Sequence, residues 1–342
     1  MMKVLWRKIH FLLALGSALF LFLASVSGFI LGIEALLDQT KPQAIDSLED
    51  ISLKKTLEVL NLNIKEVFEI SITEKNYVIV QGISEDGFER FYVDPKTGLK
   101  ISSVTPTSPF FNLARSLHRS LFFKNTGRII VGIIAFLLIL LSITGLILLT
   151  RRIGGIKQFF FLTKEKNIYR KGHIILGKWF FIPVLLIGFS GAYLTIDRFN
   201  AFTHQKSIIK TYAKGEKILD LNTIRLKDVV RVSYPYSKAE HDVFIIELKD
   251  RLFTVRQGDF RTLSEEVYPL HHLLKQWNYY IHTGESDVFV ALIVSLTALA
   301  LVFFMFTGFK ITSKTSLDLL ILNKNNLKEA SVIILYGTET GN

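Results

Sequence analysis

Residues 129–149 read IIVGIIAFLLILLSITGLILL, twenty-one positions without a charged side chain. About twenty helical residues cross a hydrocarbon core of about 30 Å, and in lipid a helix satisfies its backbone polar groups internally. The stretch reads as a membrane-spanning helix. Three further blocks share its character: Phe11 to Ile33, Trp179 to Ile196 and Val288 to Phe309. A soluble protein would need four uninterrupted apolar runs of membrane length among its buried helices. The chain is therefore read as an integral membrane protein with four spans. Hydrophobic residues make up 49% of the 342, concentrated in these blocks.

Short basic segments set the expected orientation. Lys3, Arg7 and Lys8 precede the first span, and residues 151–172 carry seven Lys or Arg against Glu165 alone. The positive-inside rule places both termini and this loop in the cytoplasm, with the two long connections outside. The organisation expected is residues 1–33, the amino terminus and first span; 34–127, a first exported domain; 128–150, the second span; 151–172, a cytoplasmic loop; 173–197, the third span; 198–286, a second exported domain; 287–310, the fourth span; and 311–342, a cytoplasmic linker opening a further domain. The first apolar block is longer than a signal-peptide core and reads as a retained anchor. Much of the net charge of +11 is topological bias, so no nucleic-acid partner is inferred. The absence of cysteine removes disulfides, thiolate metal sites, iron–sulfur clusters and covalent c-type haem.

A shift of 163 or 164 residues superposes the apolar blocks and several landmarks. His10 falls on His173, Ser27-Gly28 on Ser190-Gly191, His118 on His282, and Thr144-Gly145 on Thr307-Gly308. The chain thus reads as a tandem repeat of span, exported domain, span, its halves related by a pseudo-twofold axis along the membrane normal. The fold expected is a four-helix transmembrane bundle bearing two exported α+β domains. In the first, residues 53–62 have helical apolar spacing. Tyr77 to Val80 and Phe88 to Val93 read as strands before an Asp94-Pro95-Lys96-Thr97-Gly98 turn. In the second, Val243 to Leu248 and Leu252 to Val255 read as a hairpin.

Four of the eight histidines are in repeat register. His10 and His173 sit at the cytoplasmic ends of their spans, His118 and His282 before the outer ends of theirs. One such residue alone is an ordinary interfacial histidine; four in register read as two facing pairs, one at each membrane face. Facing imidazoles in a protein without cysteine suit bis-histidine b-type haem, two per chain, held between facing helices as bundles commonly hold cofactors. Gly28, Gly32, Gly145, Gly188, Gly191 and Gly308 remove bulk for a flat macrocycle or for close helix packing. Arg7, Lys8, Arg170 and Lys178 inside, with Arg119 and Arg128 outside, are cations for haem propionates or plain membrane-flanking anchors. His118 lies ten residues before Arg128 and outside the apolar run, so the outer pair stays open to His271 or His272 as an alternative ligand. His204 and His241 read as ordinary exported-domain residues.

Near the carboxyl end, Ala330 to Tyr336 is an apolar stretch read as a strand, followed by Gly337-Thr338-Glu339-Thr340-Gly341-Asn342. A strand running into a Thr-x-Thr-Gly-Asn loop resembles the opening of a flavodoxin-like domain, where such a loop binds the FMN phosphate. The chain is expected to be the membrane portion of a longer polypeptide with a flavin reductase module.

At the family level, the chain resembles the PepSY-domain membrane proteins of bacterial siderophore-iron reductases. The resemblance is carried by Ile9-His10 through Gly16, Leu117-His118-Arg119-Ser120-Leu121 with Gly127-Arg128, Gly172-His173 through Gly177, and Ile281-His282-Thr283-Gly284, in that order. The second exported domain lacks the Asp-Pro-x-Thr-Gly turn, and His271 and His272 fall outside the repeat. The resemblance implies a haem-containing membrane oxidoreductase. Electrons would pass from FMN, FAD and NADPH, on the carboxyl-terminal module or a cytoplasmic reductase partner, through the two haems to a periplasmic iron(III)-siderophore, releasing Fe(II). Two alternatives compete. A non-enzymatic PepSY protein regulating a periplasmic peptidase leaves the registered histidines unexplained. A transporter is disfavoured because the spans carry no ionisable residue near their centres.

Overall fold

The computed structural model of the chain describes residues 2–41, 45–155, 165–199, 208–212, 217–237 and 239–337, with side chains from Val4 to Ser313. The first half runs α1 (Met2–Gln39), α2 (Leu53–Asn63), β1 (Glu66–Ile72), β2 (Val78–Ser84), β3 (Gly87–Val93), β4 (Lys100–Ser103), α3 (Pro109–Ser120) and α4 (Lys124–Ile153). The second runs α5 (Ile168–Arg198), β5 (Ile208–Thr211), a 3-10 turn at Leu226–Asp228, β6 (Val229–Ser233), β7 (Val243–Leu248), β8 (Arg251–Arg256), β9 (Thr262–Val267), α6 (Leu270–Thr283) and α7 (Val288–Gly337).

Helices α1, α4, α5 and α7 supply the four spans. Around the bundle their order is α1–α4–α5–α7, with α7 closing back on α1. Thus α1 lies diagonal to α5, and α4 diagonal to α7. In the most apolar window of each span only 17–33% of positions are buried in the bundle. Large apolar side chains such as Leu15, Phe136, Phe189 and Phe303 face outward. That pattern fits helices solvated by lipid, and the chain is a multi-pass membrane protein.

Beyond the fourth apolar block, α7 remains helical to Gly337. The strand expected over residues 330–336 is therefore helix. All nine strands among the described residues lie in a single sheet at the other ends of the spans. A lone strand here would leave its N–H and C=O groups unpaired, whereas a helix pairs them internally. The Thr338–Asn342 loop lies outside the described residues.

The two long connections, read from sequence as separate domains, build one antiparallel sheet of order β4-β3-β2-β1-β6-β7-β8-β9-β5. The join is β1 with β6, with Glu69 opposite Ser233, Ile70 opposite Val232 and Ser71 opposite Arg231. One apolar core serves both halves: Leu53, Leu57 and Leu60 of α2 pack with Ile70, Val80 and Phe91 and, from the second half, Leu226, Val232, Ile246 and Val255. Backbone bonds cross the same boundary, from Leu53 N to Ile224 O (2.9 Å) and from Leu226 N to Ile51 O (2.8 Å). Ser52 caps α2 by accepting from Lys55 N. The Asp94–Gly98 turn forms as expected. Gly98 has φ of +74°, and a side chain there would collide with the Val59 carbonyl of α2.

The sequence reading did not assign α3 or α6, which fold back over the bundle on its sheet side although both carry apolar residues at helical spacing. Ser108 accepts from Phe110 N and Pro109 opens α3, a favoured helix start. Leu121 and Phe122, both with positive φ, turn the chain from α3 into α4. Arg115 of α3 pairs with Glu34 of α1 at 2.7 Å. Lys275 of α6 pairs with Asp197 of α5 at 2.9 Å, and Asn278 donates to Ser190 O at 3.0 Å. Each short helix is thereby fixed against the span that begins its own half.

Candidate functional site

On the side of the bundle away from the sheet, His10 of α1 and His173 of α5 occupy diagonal helices. His10 Nδ1 is 2.8 Å from Thr144 Oγ1 of α4. His173 Nδ1 is 2.9 Å from Thr307 Oγ1 of α7. A hydroxyl has one proton to donate. Thr144 directs its own at Leu141 O (3.1 Å) and Thr307 at Phe303 O (2.8 Å). Each hydroxyl therefore accepts from the imidazole, the proton resides on Nδ1, and Nε2 keeps its lone pair.

The sheet-side pair follows the same logic. His118 Nδ1 lies 2.9 Å from Ala24 O, a group that only accepts, and 3.3 Å from Ser27 Oγ, whose proton goes to Leu23 O at 2.6 Å. His282 Nδ1 lies 2.8 Å from Ser190 Oγ, whose proton goes to Ile187 O at 3.1 Å. The His118 and His282 rings stand 6.1 Å apart between centroids, tilted by 46°. A metal takes an imidazole nitrogen at about 2.0–2.1 Å, so two rings on opposite sides of one ion have centroids about 6 Å apart. The pair has that spacing. Ser27 lies six residues, or about 9 Å, inside the end of its apolar block, so α3 carries His118 alongside that block rather than beyond its end.

The Ser/Thr-Gly pairs combine two functions here. The hydroxyl anchors the imidazole, and the glycine makes room for it. A Cβ on Gly28 would stand 3.1 Å from His118 Cε1, one on Gly191 3.2 Å from His282 Cε1, and one on Gly145 3.4 Å from His10 Cε1. Gly308 has open space instead. Gly32 and Gly188 serve helix packing, with Ser295 Cβ at 3.1 Å and Ile139 Cγ1 at 3.0 Å from the position of an added Cβ. Sequence reading marked these pairs as landmarks but missed the four hydroxyls as histidine partners. The available signal was their recurrence beside glycine on the spans that face the histidines.

Comparison with known families matches the model of the PepSY-associated TM region over residues 7–314. The chain belongs to the PepSY-associated transmembrane family. The match takes in all four spans, both connections and all four paired histidines. No curated protein matches the chain in sequence.

In this PepSY-associated transmembrane protein the remaining histidines lie elsewhere. His272 packs its ring on Tyr268 at 4.2 Å, with Nδ1 buried and unpartnered. The His271 carbonyl accepts from the Tyr193 hydroxyl at 3.4 Å. It is His282 that the bundle places opposite His118. His241 is largely exposed beside Asp242, and His204 lies outside the described residues. Of the flanking cations, Arg170 is 3.8 Å from Glu165, while Nη1 of Arg128 is buried without a hydrogen-bond partner. Among the described residues no three or more His, Asp or Glu gather into a metal site.

Proposed function

We propose that this PepSY-associated transmembrane protein conducts electrons across the bilayer as a membrane oxidoreductase, in which His10 and His173 would hold one b-type haem and His118 and His282 a second. Support comes first from the four imidazoles, each with Nδ1–H donated to a fixed acceptor and Nε2 left to bind. Two protein ligands per site are too few for a bare transition ion but suffice where a macrocycle supplies the other four. Haem when bound supplies one-electron ferric–ferrous chemistry. The chain's part is to hold each ring at one tautomer and one angle, as partners of metal-bound histidine do, and to keep the surroundings apolar.

Seventeen residues of α1 separate His10 from Ser27, about 26 Å of helix. The two pairs thus sit near opposite faces of a core about 30 Å thick; one site alone would leave most of that distance uncrossed. The two pairs are also the two registered sets of a tandem repeat, its halves related by a twofold axis along the membrane normal. The antiparallel pairing of β1 with β6, equivalent strands at an offset of 163, is what such an axis produces.

With both termini cytoplasmic in a bacterial inner membrane, the His10–His173 pair faces the donor. That donor is a reduced flavin module, flavodoxin-like and fed by NADPH through FMN and FAD, following α7 or borne by a partner. The His118–His282 pair, beneath the sheet, faces a periplasmic acceptor of the iron(III)-siderophore type, reduced to release Fe(II). A peptidase-regulating role for the sheet would require no anchored histidines.

The test is a reduced-minus-oxidised spectrum with a pyridine haemochrome assay on the purified chain. Two haems per chain are expected, falling to one in His10→Ala and in His118→Ala, each with its partner pair intact. A protein without b-type bands, or a variant that keeps two haems, overturns the assignment.

A further inference from the structure

Arg128 is unusual for a guanidinium in a membrane span. Its Nη1 is buried without a partner, and Arg119 and Arg198 are close enough to act on it electrostatically. Among the described residues no ion pair reaches Arg119, Lys124, Arg128 or Arg198, although neighbouring Arg115 is paired with Glu34. A buried, unpaired guanidinium nitrogen is costly unless an anion or water completes it.

The matching seam on the other side of the bundle shows what these positions hold when no anion is required. One turn below, α4 meets α5 at Gly132 and Thr195, and a Cβ on Gly132 would stand 3.1 Å from Thr195 Cβ. Shifted by 163, the same contact joins α1 to α7 at Gly32 and Ser295, again with 3.1 Å to the serine Cβ. At the next turn toward the sheet the α1–α7 seam carries Ala35 and Ala291, both buried. The α4–α5 seam carries Arg198 and Arg128 in their places. The difference extends to the corners, where Lys124 at the start of α4 corresponds to Asp287 before α7. One seam is closed by alanines beside acidic residues; the other is cationic and unneutralised.

Apolar side chains flank the arginines. Phe122 and Phe123 in the turn before α4, Ile129 on α4, and Ile196 and Phe199 at the end of α5 are all exposed. An acyl chain fits such a rim, and an oxyanion at its top fits the guanidinium fork. We infer that the sheet-side end of the α4–α5 seam is a seat for the phosphate of an anionic phospholipid, held by Arg128 and Arg198 with Arg119 in support. The inference needs the bilayer only, and stands apart from the electron-transfer proposal.

Native mass spectrometry of the full chain in detergent, titrated with phosphatidylglycerol or with phosphatidylcholine of the same acyl chains, reads the site directly. Wild type is expected to retain phosphatidylglycerol at least fivefold better. Arg128→Gln/Arg198→Gln should bring the two lipids within twofold, while Glu285→Gln at the opposite corner keeps the wild-type ratio. Arg198→Gln alone, at an exposed helix end, gives a partial loss if the double variant does not fold. Equal retention of the two lipids by wild type overturns the inference. So does an unchanged ratio in the arginine variants. If those variants keep the lipid ratio but lose a b-type haem band, the anion was a carboxylate of the bound macrocycle, and the lipid seat is wrong while the haem proposal stands.

Discussion

Serine and threonine hydroxyls inside a span usually return their proton to a carbonyl one turn back. Thr144, Thr307, Ser27 and Ser190 all do so, and each has a histidine Nδ1 on its free lone pairs. Thr144→Val keeps the volume of the side chain and removes the acceptor. Loss of such an outer partner lowers metal affinity about 10–100-fold. If haem sits at the His10–His173 pair as proposed, it should therefore pass to a competing apo-haem protein, leaving about one haem per chain by haemochrome assay. Retention equal to wild type would show that the anchor is dispensable. At this scale the sequence was legible in part. Histidine register follows from counting residues, and with it the expectation of two pairs; the fold sets His118 opposite His282 and leaves His10 and His173 on diagonal helices. The direction of a hydroxyl proton depends on which helices adjoin, and no spacing within one helix encodes that.

At the scale of elements, local chemistry was readable and distant partnership was not. The spans announce themselves by uninterrupted apolarity, and α2 by its spacing and serine cap. Ser108-Pro109 was an available start signal for α3, and Phe110, Leu113, Ala114 and Leu117 recur at helical spacing, so this helix was legible and was passed over. β9 illustrates an electrostatic element. Its Glu265 is nearly buried, and burial pushes the carboxyl up. Hydrogen bonds from Lys217 (2.8 Å), Tyr212 (2.7 Å) and Arg251 (2.8 Å) outweigh that and hold it at about 2. A carboxyl depressed in the folded state stabilises above its unfolded value near 4.5, and the contribution is lost as pH falls through about 2. Between those values β8 and β9 should exchange amide hydrogens faster. Glu265→Gln should show that faster exchange already at pH 7, at a cost of about 1–2 kcal/mol, moderated because Lys217 and Arg251 are partly solvated. A Gln variant with wild-type acid sensitivity would place the dependence elsewhere.

For the whole molecule, the joined sheet is the feature that local patterns concealed. Each long connection reads as a small unit because strands and turns leave local marks, while the β1–β6 contact links residues 160 or more positions apart. If the core is single, damage on one side is felt on the other. Val232→Ala, at a fully buried position beside Ile70, should cost about 2 kcal/mol. That corresponds to about thirtyfold faster exchange by global opening, in β2 and β7 alike. Acceleration confined to β7 would mean two independent cores. The same continuity bears on motion. Proteins that carry cargo by alternating access rock one half of the membrane domain against the other. Here the strands of one half are stitched to those of the other, over a common packed interior, so rocking would shear the β1–β6 ladder and open the core beneath α2. The sheet acts as a brace across the mouth of the bundle, over the helices α3 and α6 that carry His118 and His282.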